Sequence, residues 1–234
     1  MSAAGPPQSD RPLRGKRRAT PPLGGDTSTA RIDTILFDLG GVLIELAGVD
    51  QMLAWSPGVP DSSELWRRWL HSPAVRRFET GASARDAFAA EVVAEFGLPV
   101  DTGEFLDAFT YWPRALYPGA TALLDELKPR FRLASVSNTN EIHWRRFGDE
   151  WALPEQFHHN FPSFDVGRLK PDADYFHHVL DALGTRAENV LFVDDNAINV
   201  DAAARLGITA RRVVGPQGVR AALAELALHP GTKP

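Results

Sequence analysis

The sequence predicts an α/β protein in which helices cover both faces of a parallel five-stranded sheet, with an all-helical segment inserted after the first strand. Two observations lead to this fold class. From Arg31 onward, short apolar runs alternate with amphipathic stretches, a pattern typical of parallel strands joined by helices. Between positions 49 and 113 the alternation stops, and this stretch contains helix candidates but no good strand. With 234 residues, the chain is long enough to bury one sizeable core.

The strands and helices follow from the apolar pattern in chain order. The predicted strands are 35–37, 133–136, 159–164, 190–193 and 210–214, of which 159–164 has the weakest pattern. The helices predicted between them are 120–127, 141–150, 173–183, 197–206 and 219–228. Pro171 and Asp172 give a start signal for the third of these helices, and Gly184 and Gly207 mark the ends of two of them.

The inserted segment contains helix candidates at 64–70 and 83–96. Phe88, Val92 and Phe96 lie on one apolar face of the second candidate. Because these helices come directly after the first strand, we expect them to cap the ends of the strands. The predicted domains are a core formed by 31–48 and 114–230, and a helical cap formed by 49–113.

Residues 1–30 differ in composition from the remainder of the chain. They are rich in Pro, Gly, Ser, Thr and Ala, and they carry five basic residues against Asp10 and Asp26. Such a segment has too little apolar surface to offset the entropy lost on ordering. We interpret it as a disordered basic tail that is solvated, in preference to a site for an anionic partner.

Composition excludes several classes of function. The net charge of -5 argues against a nucleic-acid partner, and the absence of cysteine excludes disulfides and thiolate catalysis. No apolar run reaches the roughly 20 residues of a membrane span, so we expect no membrane association and a cytoplasmic protein, either monomer or homodimer. The sequence also has no Gly-x-Ser-x-Gly, Walker or Gly-x-Gly-x-x-Gly motif, which disfavours serine hydrolases and nucleotide-binding enzymes.

Polar or charged residues follow several predicted strands at the point where each strand ends. The segment Phe-Asp-Leu-Gly-Gly-Val-Leu contains Asp38, Ser-Asn-Thr begins at Ser137, Lys-Pro begins at Lys170, and Phe-Val-Asp-Asp ends at Asp195. In an open parallel sheet the carboxyl ends of the strands converge on one crevice. We therefore expect Asp38, Ser137 and Asp195 to meet although they lie far apart in the chain.

This convergence indicates a metal-assisted site. A carboxylate directly after an apolar strand is costly unless a metal or hydrogen bonds compensate its charge, so Asp38 and Asp195 predict a shared Mg²⁺ site. With Mg²⁺ and Lys170 screening its charge, Asp38 could attack a substrate phosphate and form an aspartyl-phosphate. Ser137 and nearby backbone amides would hold phosphoryl oxygens. Alternatively, each acid caps a helix, an explanation favoured for any one segment alone but not for all four.

The order of the four motifs, Asp-Leu-Gly-Gly-Val-Leu, Ser-Asn-Thr-Asn, Leu-Lys-Pro and Phe-Val-Asp-Asp-Asn, resembles that of the haloacid dehalogenase superfamily over about residues 32–214. The helical insertion is similar to the C1-type cap of some members. Within that group, the motifs most resemble the alpha-D-glucose-1-phosphate phosphatases and the phosphatase domain of soluble epoxide hydrolase. The resemblance implies a Rossmann-like sheet with strand order 5-4-1-2-3, Mg²⁺ as cofactor and a small phosphorylated metabolite as substrate.

The resemblance also assigns a role to each matching position. It makes Asp38 the nucleophile and a metal ligand, and Gly40 a ligand through its backbone carbonyl. Ser137 and Asn138 would contact the phosphate, and Lys170 would neutralise it. The remaining roles are direct metal ligation by Asp195, orientation of the site by Asp194 and a contact outside the ligand sphere by Asn199.

One catalytic position departs from the superfamily pattern. Phosphatases of this type usually carry, two residues after the nucleophile, an Asp that protonates the leaving oxygen, and here that position is Gly40. One hypothesis is a phosphatase for esters that need little protonation, such as a sugar phosphate, or one that recruits an acid from the cap. A second is a catalytically weak phosphate-binding regulatory or interaction module. A third, dehalogenation or phosphonate cleavage, is disfavoured because the pair Asp194 and Asp195 indicates a metal.

Substrate selectivity is expected in the inserted segment, because the core motifs meet only phosphate and metal. The candidate substrate contacts are Trp112 and Arg114, followed by Trp66, Trp69, Arg76 and Arg77, although for each of them a packing aromatic or a solvated charge is the favoured interpretation. If the cap opens and closes, Gly48 and Pro113 are the hinge candidates.

Overall fold

The computed structural model describes residues 31–56 and 62–228. The predicted basic tail, 1–30, lies outside the described residues. In the described part of the chain the strands are β1 (Thr34–Phe37), β2 (Ile44–Leu46), β3 (Pro113–Leu116), β4 (Arg132–Ser137), β5 (His159–Pro162), β6 (Val190–Asp194) and β7 (Thr209–Arg212). The helices are α1 (Gly48–Trp55), α2 (Ser62–His71), α3 (Pro73–Glu79), α4 (Arg85–Phe96), α5 (Thr102–Thr110), α6 (Ala120–Leu127), α7 (Glu141–Asp149), α8 (Ser163–Val166), α9 (Ala173–Leu183), α10 (Ala197–Arg205) and α11 (Gly215–Glu225).

The main sheet is five-stranded and parallel, in the order β5-β4-β1-β6-β7. The predicted α/β fold is therefore confirmed. If only the five strands of this sheet are numbered in chain order, the strand order read from the other edge is 5-4-1-2-3, as predicted. The detail that the prediction lacked is a second, antiparallel sheet formed by β2 and β3. These two short strands carry little apolar pattern, because only one residue of each is fully buried.

Several element boundaries differ from the prediction by one to four residues, as two examples show. The strand expected over 159–164 ends at Pro162, and the short helix α8 begins at the next residue. The helix expected over 219–228 begins four residues earlier, at Gly215, because Pro216 occupies its first turn, where a missing N–H costs no hydrogen bond.

Apolar side chains cover both faces of the main sheet. Alternate residues of β1 point to opposite faces: Ile35 and Phe37 join one cluster and Leu36 joins the other. All four residues of β1 are fully buried, as expected for the central strand of a doubly covered sheet. This burial fixes the strand register, and with it the place where each strand ends.

Helices α1 to α5 form a separate apolar cluster above the sheet. Phe78 of α3 stacks on Phe88 of α4 with ring centroids 4.1 Å apart, and Trp69 of α2 packs edge-on against the same Phe88 ring. The helix predicted at 83–96 begins at Arg85, two residues later than expected. Helices α1, α3 and α5 were not predicted. Among the described residues, none of the helices combines the length and the apolar composition of a membrane-spanning segment.

Candidate active site

The carboxyl ends of three neighbouring strands bring the predicted site residues together. β1 pairs with both β4 and β6, so Asp38, which follows β1, lies between the ends of the other two strands. Ser137 is the last residue of β4, and Asp194 is the last residue of β6. Asp38, Ser137 and Lys170 all line one pocket, together with Asp195. The convergence expected from the sequence is present.

Lys170 is a buried cation held by two carboxylates. Its side chain is 1% exposed, and its Nζ lies 2.9 Å from Asp38 Oδ1 and 2.7 Å from Asp194 Oδ2. Burial alone would lower the pKa of Lys170, but the charges of Asp194 and Asp38 outweigh it and raise this pKa above its usual value. The ammonium group therefore stays charged throughout the neutral pH range.

Three carboxylates cluster beside this cation. Asp38, Asp194 and Asp195 each offer an oxygen, and these oxygens all lie within 4.8 Å of one another. Burial, followed by the charge of Asp194, raises the pKa of Asp195 to about 6, and burial is also the largest cause of the raised pKa of Asp38. A divalent cation bound by oxygen would relieve both effects, so the residues present fit a hard metal ion.

The two acids at the end of β6 differ in the hydrogen bonds that their carboxylates accept. Asp194 is fully buried and accepts hydrogen bonds from Lys170, from the backbone N–H of Asn196 and from the side-chain amide of Asn199. Asp195 is only partly buried: its carbonyl accepts from Arg212 Nε at 2.9 Å, and its carboxylate accepts from its own backbone N–H. Asp194 thus positions its neighbours, whereas the carboxylate of Asp195 faces the pocket.

The loop after Asp38 runs very close to Asp195. Gly41 has a φ of +69°, and a Cβ atom there would lie 2.5 Å from the Asp195 carboxylate. Only glycine allows both this backbone conformation and this approach. Gly40 has no positive φ, and a Cβ atom there would meet only the end of the Leu46 side chain, at 2.9 Å. Position 40 lines the pocket and could accommodate a side chain if Leu46 moved.

Asn138 holds the Lys170 loop in place. Its side-chain amide donates to the Lys170 carbonyl and accepts from the Lys170 N–H, both at 2.8 Å. The phosphate contact expected of Asn138 must therefore come from its backbone, because the side chain is engaged. Next to it, the Thr139 N–H donates to Ser163 Oγ at 3.0 Å. These bonds connect the end of β4 to the segment that carries Lys170.

Above the charged residues the pocket is apolar and largely aromatic. The aromatic roof, as we name it, consists of Met52, Leu65, Trp66, Trp69, Phe109 and Trp112. Three of the six predicted substrate contacts, Trp66, Trp69 and Trp112, belong to it. The three predicted arginines do not line this pocket: Arg76 pairs with Asp172, Arg77 pairs with Glu91, and Arg114 lies in a separate shallow depression.

Two titratable pocket residues were not singled out from the sequence. Glu79, the last residue of α3, and His143, in α7, line the same pocket. His143 Nε2 lies 2.7 Å from the Phe109 carbonyl, and burial lowers the pKa of His143 to about 4. Burial raises the pKa of Glu79 to about 7, against the opposing charges of Lys170 and Arg76. No local sequence pattern distinguishes a glutamate that lines a pocket from one that faces solvent at the end of a helix.

Buried polar atoms in the pocket are open to a bound molecule. Trp112 Nε1 and Thr139 Oγ1 are buried and have no hydrogen-bond partner in the described part of the chain. Both residues line the pocket, Trp112 in the roof and Thr139 beside Ser137. An unpaired buried donor costs roughly 1–3 kcal/mol, a cost that a ligand oxygen could remove.

Comparisons with known proteins agree with this site. The chain is 30% identical over 181 residues, which are 74% of this chain and 85% of the relative, to the sesquiterpene phosphatase astK of Aspergillus oryzae. It is 47% identical over 60 residues, 26% of this chain but only 11% of the relative, to the drimenol cyclase drtB of Aspergillus calidoustus.

Solved structures and a family model give the same grouping. A HAD family enzyme of Bacteroides thetaiotaomicron, solved in complex with magnesium and inorganic phosphate, superposes with a TM-score of 0.62 at 23% identity, covering 78% of this chain and 94% of that one. At this identity the likeness shows the fold. The model of haloacid dehalogenase-like hydrolases matches residues 32–207, three quarters of the chain. The protein therefore belongs to the haloacid dehalogenase-like hydrolase family.

Proposed function

We propose that the protein is a Mg²⁺-dependent phosphatase that acts on a phosphate monoester with an apolar organic group, through an aspartyl-phosphate intermediate on Asp38. The observation that carries the proposal is the combination of two surfaces in one pocket. A buried lysine lies between two of three clustered carboxylates, and an aromatic roof lies above them. The first surface suits a metal and a phosphate, and the second suits an apolar group.

Asp38, Asp195 and the backbone carbonyl of Gly40 would hold the magnesium ion. The ion would screen the charge between the attacking carboxylate and the phosphate and polarise the phosphoryl oxygens. Asp194 would orient the site through Lys170 and Asn199, to which it is hydrogen-bonded. The magnesium and phosphate complex of the Bacteroides enzyme supports this assignment by analogy of fold.

In the proposed reaction, a carboxylate oxygen of Asp38 attacks phosphorus and the ester oxygen leaves. The short Leu39 N–H to Asp38 Oδ1 hydrogen bond, at 2.7 Å, fixes the orientation of the carboxylate. Lys170 offsets negative charge on the transferring phosphoryl group, and Ser137 and nearby backbone amides hold its oxygens. Water then cleaves the acyl phosphate of Asp38 and releases inorganic phosphate.

The substrate is better matched by an isoprenoid phosphate than by a sugar phosphate. A sugar needs several hydrogen-bonding side chains around its hydroxyl groups, and the roof offers indole, phenyl and aliphatic surfaces instead. The names of both curated relatives, a sesquiterpene phosphatase and a drimenol cyclase, support an apolar terpenoid group. Such an ester still falls within the substrate class expected from the sequence, a small phosphorylated metabolite.

We also propose that helices α1 to α5 act as a C1-type cap on a core formed by 31–48 and 114–230. Their position between β2 and β3, over the strand ends, supports this division. The resemblance of the motifs to the glucose-1-phosphate phosphatase group then describes the catalytic core rather than the substrate, because selectivity would depend on the cap.

Phosphate release from farnesyl phosphate and from glucose 1-phosphate, each measured with Mg²⁺ and with EDTA, tests the proposal. We expect Mg²⁺-dependent release, faster from farnesyl phosphate, and its loss in Asp38→Asn but not in the surface variant Asp125→Asn. Faster hydrolysis of the sugar phosphate would contradict the substrate class. The alternative function, a phosphate-binding module favoured by Gly40, predicts Mg²⁺-dependent binding of the esters without turnover.

A further inference from the structure

The proposed reaction needs a proton donor that the core does not supply. Expulsion of an alkoxide from phosphorus is slow unless its oxygen is protonated, and position 40, where phosphatases of this type usually carry an Asp, is a glycine here. The donor must therefore be found among the titratable side chains that line the pocket, which are Asp38, Glu79, His143, Lys170 and Asp195.

Four of these five groups are committed to other contacts. Asp38 and Asp195 belong to the carboxylate cluster, and Lys170 is held by two carboxylates. Both ring nitrogens of His143 are occupied, Nε2 by the Phe109 carbonyl at 2.7 Å and Nδ1 by Asn140 Nδ2 at 3.1 Å. With its lowered pKa, the His143 ring is neutral at pH 7 and has no proton to release into the pocket.

Glu79 is the remaining group, and its carboxyl is available. In the described part of the chain it makes no hydrogen bond and no ion pair, because the two basic residues of its own helix pair elsewhere, Arg76 with Asp172 and Arg77 with Glu91, each at 2.5 Å. The charges that reach it are those of Lys170 and Arg76. Burial outweighs both and raises the pKa of Glu79 to about 7, so near neutral pH the side chain can carry the proton or give it up.

The position of Glu79 is fixed by contacts between α3 and the core. Arg76 and Asp172 join α3 to the loop that follows Lys170. Beyond the helix end, Gly81, with a φ of +72°, lies so close to the backbone of α8 that a Cβ atom there would be 2.4 Å from the Phe164 carbonyl. These two contacts flank Glu79 and hold its carboxyl at the pocket.

We propose, on the basis of the phosphatase function above, that Glu79 is the general acid and base of the reaction and supplies from the helical cap the proton that position 40 cannot. In the first step Asp38 bonds to phosphorus, the P–O ester bond breaks, and the leaving oxygen takes the Glu79 proton to become an alcohol. In the second step the Glu79 carboxylate removes a proton from water. The hydroxide attacks phosphorus, the bond to Asp38 breaks, and both carboxyl groups return to their initial state.

Glu79→Gln tests this role, because glutamine keeps the size of the side chain and cannot exchange the proton. The readout is kcat/KM, which reports the first phosphoryl transfer, on farnesyl phosphate and on 2,4-dinitrophenyl phosphate, whose leaving group needs no proton. We expect a loss of about 10² to 10⁴-fold on farnesyl phosphate and of a few-fold on the aryl ester. Glu91→Gln, a cap glutamate outside the pocket, should leave both values unchanged.

Two further measurements guard against a merely structural effect. For wild type, kcat/KM on farnesyl phosphate should fall as the pH rises through about 7, and Glu79→Gln should lack this decline while keeping the titration of the substrate. Adding Gly40→Asp to Glu79→Gln should restore part of the activity on farnesyl phosphate, because the Leu46 side chain that limits position 40 is exposed and can move.

The outcomes separate the two proposals. A wild type that hydrolyses neither ester would overturn the phosphatase function, and the role of Glu79 with it. If wild type is active and Glu79→Gln loses the same factor on both esters, or loses nothing, the phosphatase function stands and Glu79 is not the general acid.

Discussion

The floor and the roof of the pocket are stabilised by different kinds of interaction. The polar floor, as we name the set Asp38, Lys170, Asp194, Asp195 and Asn199, is dense in ion pairs and hydrogen bonds between 2.7 and 3.2 Å. The aromatic roof is held by ring contacts, such as Trp69 with Trp112 at 5.1 Å. Charged groups need specified partners when buried, whereas apolar packing accepts many shapes of similar volume. Chemistry can thus stay constant in the floor while the roof changes with the substrate.

Removal of the buried cation gives the largest effect that this comparison predicts. Lys170→Met would leave Asp38 and Asp194 without a positive partner, so the free energy of unfolding at pH 8 without Mg²⁺ should fall by about 3–5 kcal/mol. Urea denaturation followed by circular dichroism measures this change. Lys128→Met, which removes only a 3.3 Å bond to the Glu155 carbonyl, should change stability by less than about 1 kcal/mol. Equal effects of the two variants would show that the floor tolerates uncompensated charge.

His143 lines the pocket against Phe109 of the roof, and it makes the folded state sensitive to acid. Its pKa is about 4 in the folded protein against an ordinary 6.5, so the unfolded chain takes up the proton first as the pH falls. The stability due to neutral His143 is complete above about pH 6.5 and is lost as the pH falls toward 4, by at most about 3 kcal/mol.

His143→Gln should therefore flatten the loss of stability between pH 6.5 and 4, whereas His177→Gln, on an exposed position of α9, should not. Denaturant unfolding at a series of pH values checks this. An unchanged pH slope in His143→Gln would mean that the imidazole is protonated in the folded protein without cost.

The close approach of the loop after β1 to Asp195 gives a third test. In Gly41→Ala, the positive φ destabilises the alanine by about 1–2 kcal/mol, and the added Cβ collides with the Asp195 carboxylate. Gly97→Ala is a matched control, because Gly97 has a similar φ of +62° and nothing within 4 Å of the added atom. We expect Mg²⁺ to raise the melting temperature of wild type and Gly97→Ala but not of Gly41→Ala. An equal Mg²⁺ response in both variants would separate Gly41 from the metal site.

The smallest effect concerns the roof alone. Trp66 lines the pocket although 38% of it is exposed, so Trp66→Ala should cost little stability and should weaken contact with an apolar substrate. We expect KM for farnesyl phosphate to rise about tenfold, equivalent to about 1.4 kcal/mol, and KM for acetyl phosphate to stay unchanged. Steady-state kinetics measure both. As a control, Tyr111→Ala removes an exposed aromatic that does not line this pocket and should change neither KM. If Trp66→Ala also raised the KM for acetyl phosphate, Trp66 would not act through the apolar group of the substrate alone.

The sequence predicted the floor far better than the roof. Asp38, Ser137 and Asp195 lie at strand ends, and the geometry of a parallel sheet requires the ends of neighbouring strands to meet. The helix start at Asp172 was also placed correctly, but its carboxylate makes no capping hydrogen bond and pairs instead with Arg76 of α3. That pairing joins residues 96 positions apart, and no local pattern announces it.

What the sequence determined by itself is the set of groups that strand periodicity carries to one edge of the sheet, because alternate burial fixes where each strand must end. Only the tertiary structure decided what faces those groups across the pocket. The packing of α2, α3 and α5 places Trp66, Glu79 and Phe109 on the same cavity as Asp38. Helical side chains reach such a shared surface through the crossing of helices, and this depends on how aromatic rings fill the space between them rather than on spacing along the chain.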